Sequence, residues 1–202
     1  MKKSTPRKSS VVPRKPSLKK STPPGHHATE EPHISHPEPS THDQHFPPEI
    51  VQAAESSMRK WRVPASVTLA QWAQESAFGK DMPTGSNNPF GIKAVEGQPS
   101  VSSWTHEHIH GSDVRVVAKF RKFQTIEEAF EHHAELLATA PVYSHAMGFV
   151  HEPDQFADAL TGVYATDPHY GAELKNLMKT YNLYQYDRPA AEAGPRRGAR
   201  AS

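Results

Sequence analysis

The 202 residues suffice for one medium domain with tails, and an apolar content of 35% beside 19 prolines indicates that part of the chain does not join a core. Cysteine is absent, which excludes a disulfide framework and thiolate chemistry. The net charge of +1 hides an asymmetry: residues 1–20 carry eight Lys or Arg and no acid, residues 21–45 carry four acids and no Lys or Arg, and residues 46–188 hold 12 basic and 17 acidic side chains. A mildly acidic folded part is poor equipment for gripping a phosphate backbone, which argues against nucleic acid as the partner.

Residues 1–45 read as a disordered arm, basic at first and then rich in Pro, His and Glu, because such a composition buries too little apolar surface to offset the entropy of ordering. Two readings of the basic part stand side by side: electrostatic contact with an anionic polymer, or a solubilising tail with no partner. Its scattered histidines have nothing to fix a metal geometry. After Met1-Lys2-Lys3 no apolar export segment follows. The longest uncharged run before Glu75, Val63 to Gln74, has 12 residues, short of the roughly 20 a membrane span needs. The sequence therefore predicts a soluble protein without a visible export route.

Residues 46–188 form the expected domain. Pro47-Pro48 opens a helix with Ile50, Ala54, Met58 and Trp61 in one apolar stripe, and Pro64 suits the first turn of the next. That second helix runs into the stretch TLAQWAQESAFGKDMPTGSNNPFGIK, Thr68 to Lys93, in which alanines 70, 73 and 77 recur at helical spacing and Gly79 is the expected stop. Residues 94–124 alternate and are read as a small antiparallel lobe turning near Gly111-Ser112. Thr125 and Glu128 make a capping box for a third long helix, in which His132 is expected at the surface and His133 in the core. A short helix is expected near Pro153, and a last one with Asp167 as N-cap and Leu174, Leu177, Met178 and Tyr181 facing inward. Residues 189–202 read as a second disordered tail. The fold class is mainly α (α+β), helices with a small β-hairpin lobe.

Glu75 is the residue with chemical promise. A carboxylate in the last turn of a helix meets the negative end of the macrodipole, which disfavours its ionised form. Trp72 and Phe78 nearby are expected to strip water and act in the same direction. A carboxylic acid protonated near neutral pH can serve as a general acid on a leaving-group oxygen. The plainer reading is a solvated helix glutamate, and the polar SNNPFGIK loop, a second cleft wall, is what shifts the balance.

AQWAQESAFGK followed by SNNPFGIK resembles the bacterial cell-wall glucosaminidase family, the mannosyl-glycoprotein endo-beta-N-acetylglucosaminidase-like domains of the lysozyme-like superfamily. VVAKFRKFQTIEEAFEHHAELL and FADALTGVYATDPHYGAELKNLM resemble its later blocks in order, so that the similarity spans Phe46 to Asp187. The resemblance implies a lysozyme-like fold, peptidoglycan glycan strands as substrate, action at the bacterial cell wall, and Glu75 as the catalytic acid. It further implies Glu107, in WTHEHIHG, as general base or stabiliser, with help from the substrate's own N-acetyl group as the alternative. Tyr164, in GVYATDP, matches a tyrosine beside the family's cleft. Asn88, Phe90 and Gly91 are expected to bind sugar, although Gly91, like Asn87, could merely shape the turn, and Trp104 is expected either to stack on a sugar ring or to pack. Histidines 106, 108 and 110 alternate along a strand but match no established zinc pattern, so neither metal nor cofactor is expected. Hydrolysis of the β-1,4 bond leads, with a lytic transglycosylase, a muramidase and a non-catalytic glycan-binding or phage-structural module as the alternatives.

Overall fold

The computed structural model of the protein describes residues 45–109 and 112–188, with backbone alone at residues 106–109, 112 and 113. The two expected tails lie outside the described residues. Among the described residues, five α-helices surround one apolar core: α1 (Pro48–Trp61), α2 (Ala65–Ser76), α3 (Ile126–Thr139), α4 (Pro153–Ala159) and α5 (Tyr170–Thr180). Two strands, β1 (Ser100–Ile109) and β2 (Ser112–Arg121), form an antiparallel hairpin between α2 and α3. The α+β architecture with a small hairpin lobe is thus as the sequence predicts. No helix among the described residues is long and apolar enough to cross a membrane.

Helix α2 is the axis of the domain. Every residue from Ala65 to Ala73 is buried, because α1, α4, α5 and the C-terminal turn Leu183–Asp187 pack around it. A helix enclosed on all sides has no need of an amphipathic stripe, and its small residues let the neighbours come close. Its N-terminus has no side-chain cap of its own; the backbone N–H of Ser66 donates instead to Asp187 Oδ1 at 2.8 Å, tying the end of the domain to its centre. A carboxylate there suits the positive end of the helix dipole.

The other helices follow their sequence signals, with shifts at the ends. Thr125 caps α3 by accepting from Glu128 N at 3.2 Å, and Glu128 Oε2 reaches back to Gln124 N at 2.8 Å. Helix α2 stops at Ser76 rather than at Gly79, since Ser76 Oγ donates to Trp72 O at 2.6 Å and accepts from Gly79 N at 2.8 Å. Ala77, Phe78 and Gly79 then all take positive φ, at 48°, 58° and 80°. Helix α5 begins three residues after the expected N-cap, because Asp167 Oδ1 is engaged by His169 N at 2.8 Å in a turn ahead of the helix.

Helices α4 and α5 touch at Gly171. A Cβ on this residue would sit 2.7 Å from Ala157 O and 2.9 Å from Asp158 Cα, so only glycine permits the approach. Gly171 N also donates to Thr161 Oγ1 at 3.1 Å. Gly171→Ala is expected to destabilise the domain by about 1–3 kcal/mol, the usual cost of overpacking against backbone that cannot move. Urea unfolding followed by circular dichroism measures it, and an unchanged midpoint would show that the two helices can separate freely.

Candidate active site

Glu75 lies in the last turn of α2, partly buried, at the place where the enclosed helix meets the surface. Its carboxylate Oε1 accepts a hydrogen bond from the Tyr170 hydroxyl at 3.0 Å, and Tyr170 Oη in turn accepts from Gln71 Nε2 at 3.0 Å. Gln71 precedes Glu75 by one helical turn, and Tyr170 is the first residue of α5. The α4–α5 contact at Gly171 therefore also sets where the tyrosine meets the acid.

Tyr164 stands beside this group. The short turn from Leu160 to Ala165 places it, with Gly162 N donating to Ala165 O at 2.8 Å and Tyr164 N to Leu160 O at 2.8 Å. Its ring stacks on Tyr170 with centroids 5.6 Å apart and planes 20° from parallel. Burial, and after it the negative charge of Glu75, pushes both phenols well above their ordinary pKa, so both stay protonated donors. Tyr164 Oη is buried without a hydrogen-bond partner, an unmet donor and acceptor next to the carboxylate. Trp72 and Phe78, expected to shield Glu75, pack edge to face with each other and against Phe46.

The SNNPFGIK loop has a different task from the one the sequence suggests. Asn88 is fully buried; its Nδ2 donates to Ile92 O at 2.8 Å and Arg121 O at 2.9 Å, and its Oδ1 accepts from Ile92 N at 3.0 Å. With its amide spent on backbone, it has nothing left for a sugar. Phe90 is likewise fully buried, stacked on His133 with centroids 3.9 Å apart and edge to face with Phe130. Gly91 is buried in the turn at φ 62°, a conformation that glycine adopts without strain. The sugar-binding expectation for these three residues is thus corrected: the loop fastens the exit of β2 to the start of α3, an effect that Asn87 extends by donating to Phe123 O and Gln124 O.

Trp104 stands on the outer face of the hairpin, 60% exposed, with the Arg115 guanidinium 4.6 Å from its ring centroid and Val117 opposite. It is exposed rather than part of a packed lobe. Glu107 pairs with Val114 in the ladder, and its side chain lies outside the described residues, as do those of His106 and His108 and all of His110. Among the described residues no group of three or more His, Asp or Glu could hold a metal ion. His132 is half-buried and bonded to Arg121, whereas His133 is fully buried, as the sequence predicts.

Sequence reasoning missed Tyr170 and Gln71. The one available signal was the spacing of four between Gln71 and Glu75, which puts both on one helix face.

An acid at the end of a buried helix, with two neutral tyrosines against it in a helical domain bearing a hairpin lobe, makes a site suited to general-acid chemistry. The chain belongs to the glucosaminidase family, mannosyl-glycoprotein endo-beta-N-acetylglucosaminidase, whose model matches residues 51–183. It is 34% identical over 162 residues to an autolysin of Enterococcus faecalis, covering 76% of this chain and 22% of that protein. It is 31% identical over 134 residues to the exo-glucosaminidase LytG of Bacillus subtilis, covering 63% of this chain and 48% of LytG. A probable N-acetylmuramidase of Lactococcus lactis is 35% identical over 137 residues, covering 64% of this chain and 31% of the relative. The chain thus spans less than half the length of these relatives. Among solved structures, the catalytic domain of the autolysin Auto from Listeria monocytogenes superposes with a TM-score of 0.66 at 29% identity, over 78% of this chain and all of that one. A C-terminally truncated glycoside hydrolase domain of Salmonella typhimurium FlgJ gives 0.56 at 30% identity, over 68% of this chain and 95% of that one.

Two predictions concern the frame of the site. Asn88→Ala removes three hydrogen bonds, two of them buried and one part-buried, and leaves backbone groups short of partners, so a loss of about 2–4 kcal/mol is expected on urea unfolding. Burial, with a smaller contribution from His132, lowers the His133 pKa from 6.5 to about 3, so the unfolded chain takes up a proton that the folded one refuses. Stability is then intact above about pH 6.5 and falls as the pH drops toward 3, by up to about 1.4 kcal/mol per pH unit. His133→Phe should flatten that acid limb, and thermal unfolding across the range would reveal an unaltered slope if the assignment were wrong.

Proposed function

We propose that this domain cuts the β-1,4 glycosidic bond of peptidoglycan glycan strands, with Glu75 as the general acid. The observation that carries this reading is the Glu75 carboxyl group at the mouth of a buried helix, held by one neutral phenol and flanked by a second whose hydroxyl has no partner. In the reaction Glu75 protonates the bridging oxygen, the bond from that oxygen to the anomeric carbon breaks, and positive charge develops on the ring. Water adds to the anomeric carbon and gives up a proton to a base. Glu107 is the candidate for that base or for electrostatic support of the ring, and the acetamido group of the substrate is the alternative. The free Tyr164 hydroxyl suits a hydrogen bond to the acetamido carbonyl or to the attacking water. The exposed Trp104 offers an apolar face for a sugar further along the strand.

Relatives described as a muramidase and as a glucosaminidase resemble this chain about equally, so a muramidase reading of the same site is the second one retained. The glucosaminidase reading leads because the whole-domain match is to that family. Action at the cell wall follows from the substrate. The basic segment 1–20 fits contact with an anionic polymer, which added salt would weaken.

Glu75→Gln should lower turnover on purified peptidoglycan by about 10²–10⁴-fold, the range for loss of a general acid, with folding preserved. Lysis at the wild-type rate would remove Glu75 from the mechanism. Mass spectrometry of the products identifies the bond: an N-acetylglucosamine reducing end supports the leading reading and an N-acetylmuramic acid end the second. Products lighter by one water would mean ring closure in place of hydrolysis.

A further inference from the structure

A carboxylic acid has two oxygens, and only a proton on the one facing the substrate can be given to it. The protein has to decide which oxygen is protonated, and the surroundings of Glu75 contain such a device. Tyr170 Oη accepts from Gln71 Nε2 at 3.0 Å and lies 3.0 Å from Glu75 Oε1. A phenol carries a single proton, so with Gln71 donating to its oxygen, the Tyr170 proton points at Oε1. An oxygen that receives a donor along this line cannot itself hold a proton there. Gln71 is fully buried and Tyr170 is 2% exposed, so water does not substitute for either link.

We infer that Gln71 and Tyr170 are positioning residues, a one-way hydrogen-bond chain that keeps the Glu75 proton off Oε1 and on the other oxygen. The inference rests on the reading of Glu75 as the general acid and adds how that acid is kept in its productive form. Neutral groups suit the task. A lysine or arginine in place of Tyr170 would also point donors at Oε1, but its charge would hold Glu75 ionised and remove the proton to be transferred. The phenol donates to Oε1 before the transfer, when the oxygen is carbonyl-like, and after it, when the group is a carboxylate. The acid therefore keeps its place through the step. Tyr164, from the turn after α4, and Tyr170, from α5, are titratable groups that face Glu75, and both are held neutral. Glu173, one turn along α5, is bonded to Gln74 at 2.8 Å.

The test is a double-mutant cycle with pH–rate profiles on solubilised peptidoglycan, using Tyr170→Phe, Gln71→Met and both together. Tyr170→Phe should lower kcat about tenfold with KM within twofold, the pattern of a lost positioning contact. It should also move the basic limb of kcat/KM to higher pH, because a hydrogen bond favouring the carboxylate is gone. Gln71→Met should give a smaller change in the same sense, and the double variant should be no worse than Tyr170→Phe, since both act through one chain. Losses that multiply, or a lowered kcat with an unmoved pH profile, would overturn the inference. If Tyr170→Phe fails to fold by circular dichroism, Gln71→Met decides alone by its pH profile. Glu75→Gln measured alongside separates the two levels: an active Glu75→Gln sinks the assignment of the acid, whereas an inactive one beside an unmoved Tyr170→Phe profile sinks only the chain.

Discussion

The domain depends on one constraint: a helix buried on every side must end in a carboxylate that reaches the surface. Helix α2 has its first turn fixed by Asp187 and its length enclosed by α1, α4 and α5, so it cannot tilt or slide to suit Glu75. The adjustment falls on the residues that follow. Ala77 and Phe78 occupy left-handed backbone, each at a cost of about 1–3 kcal/mol. The return comes from the packing of Phe78 on Phe46, Trp72 and Tyr181, and from Ser76, whose hydroxyl and carbonyl hold Gly79 and Asp81. Strain placed immediately after the acid thus turns the chain away and leaves Glu75 at the helix mouth.

The same constraint explains why Tyr170 and Tyr164, which stand against the acid, are aromatic and neutral. A cation against Glu75 would favour the carboxylate and disable it as an acid, while a purely apolar wall would leave its rotamer unfixed. Phenols combine a hydrogen-bond donor with a large packed surface. Tyr170 and Tyr164 stack on each other, and Tyr164 continues edge to face onto His133, which stacks on Phe90. The aromatic series runs from the acid into the core beneath the SNNPFGIK loop. Packing in that core and placement of the two phenol hydroxyls are therefore one problem, and loosening of either is felt by the other.

Periodicity made the helices legible, and the capping box at Thr125 and Glu128 marked the start of α3 to the residue. The position of Glu75 in the last turn of α2 was legible as well, from the helical spacing of the alanines around it. Helix ends were not, since side chains such as Ser76 and Asp167 chose local hydrogen bonds that no propensity scale weighs. The polar loop misled for a related reason. Asparagines in a loop read as surface, but Asn88 replaces a missing stretch of sheet by bonding two strand-like segments, and only coordinates show that its amide faces inward. Tyr170 was invisible because its link to Glu75 closes 95 residues of intervening chain.

The two halves of the proposed chemistry are built on different foundations. The acid sits on the most enclosed helix of the domain, aligned by side chains that are themselves buried, which is the condition for a group preorganised before substrate arrives. Glu107 sits near the turn of a two-stranded hairpin, an element with less to hold it than a packed helix. The burial pattern of that hairpin shows the contrast: Phe120, near its base, is enclosed, while Trp104 and Val117 further out are open to solvent. A rigid acid opposite a less supported second group divides the work. In the proposed reaction, protonation of the bridging oxygen falls to a residue that the core fixes, and support of the charged ring to one carried on the hairpin.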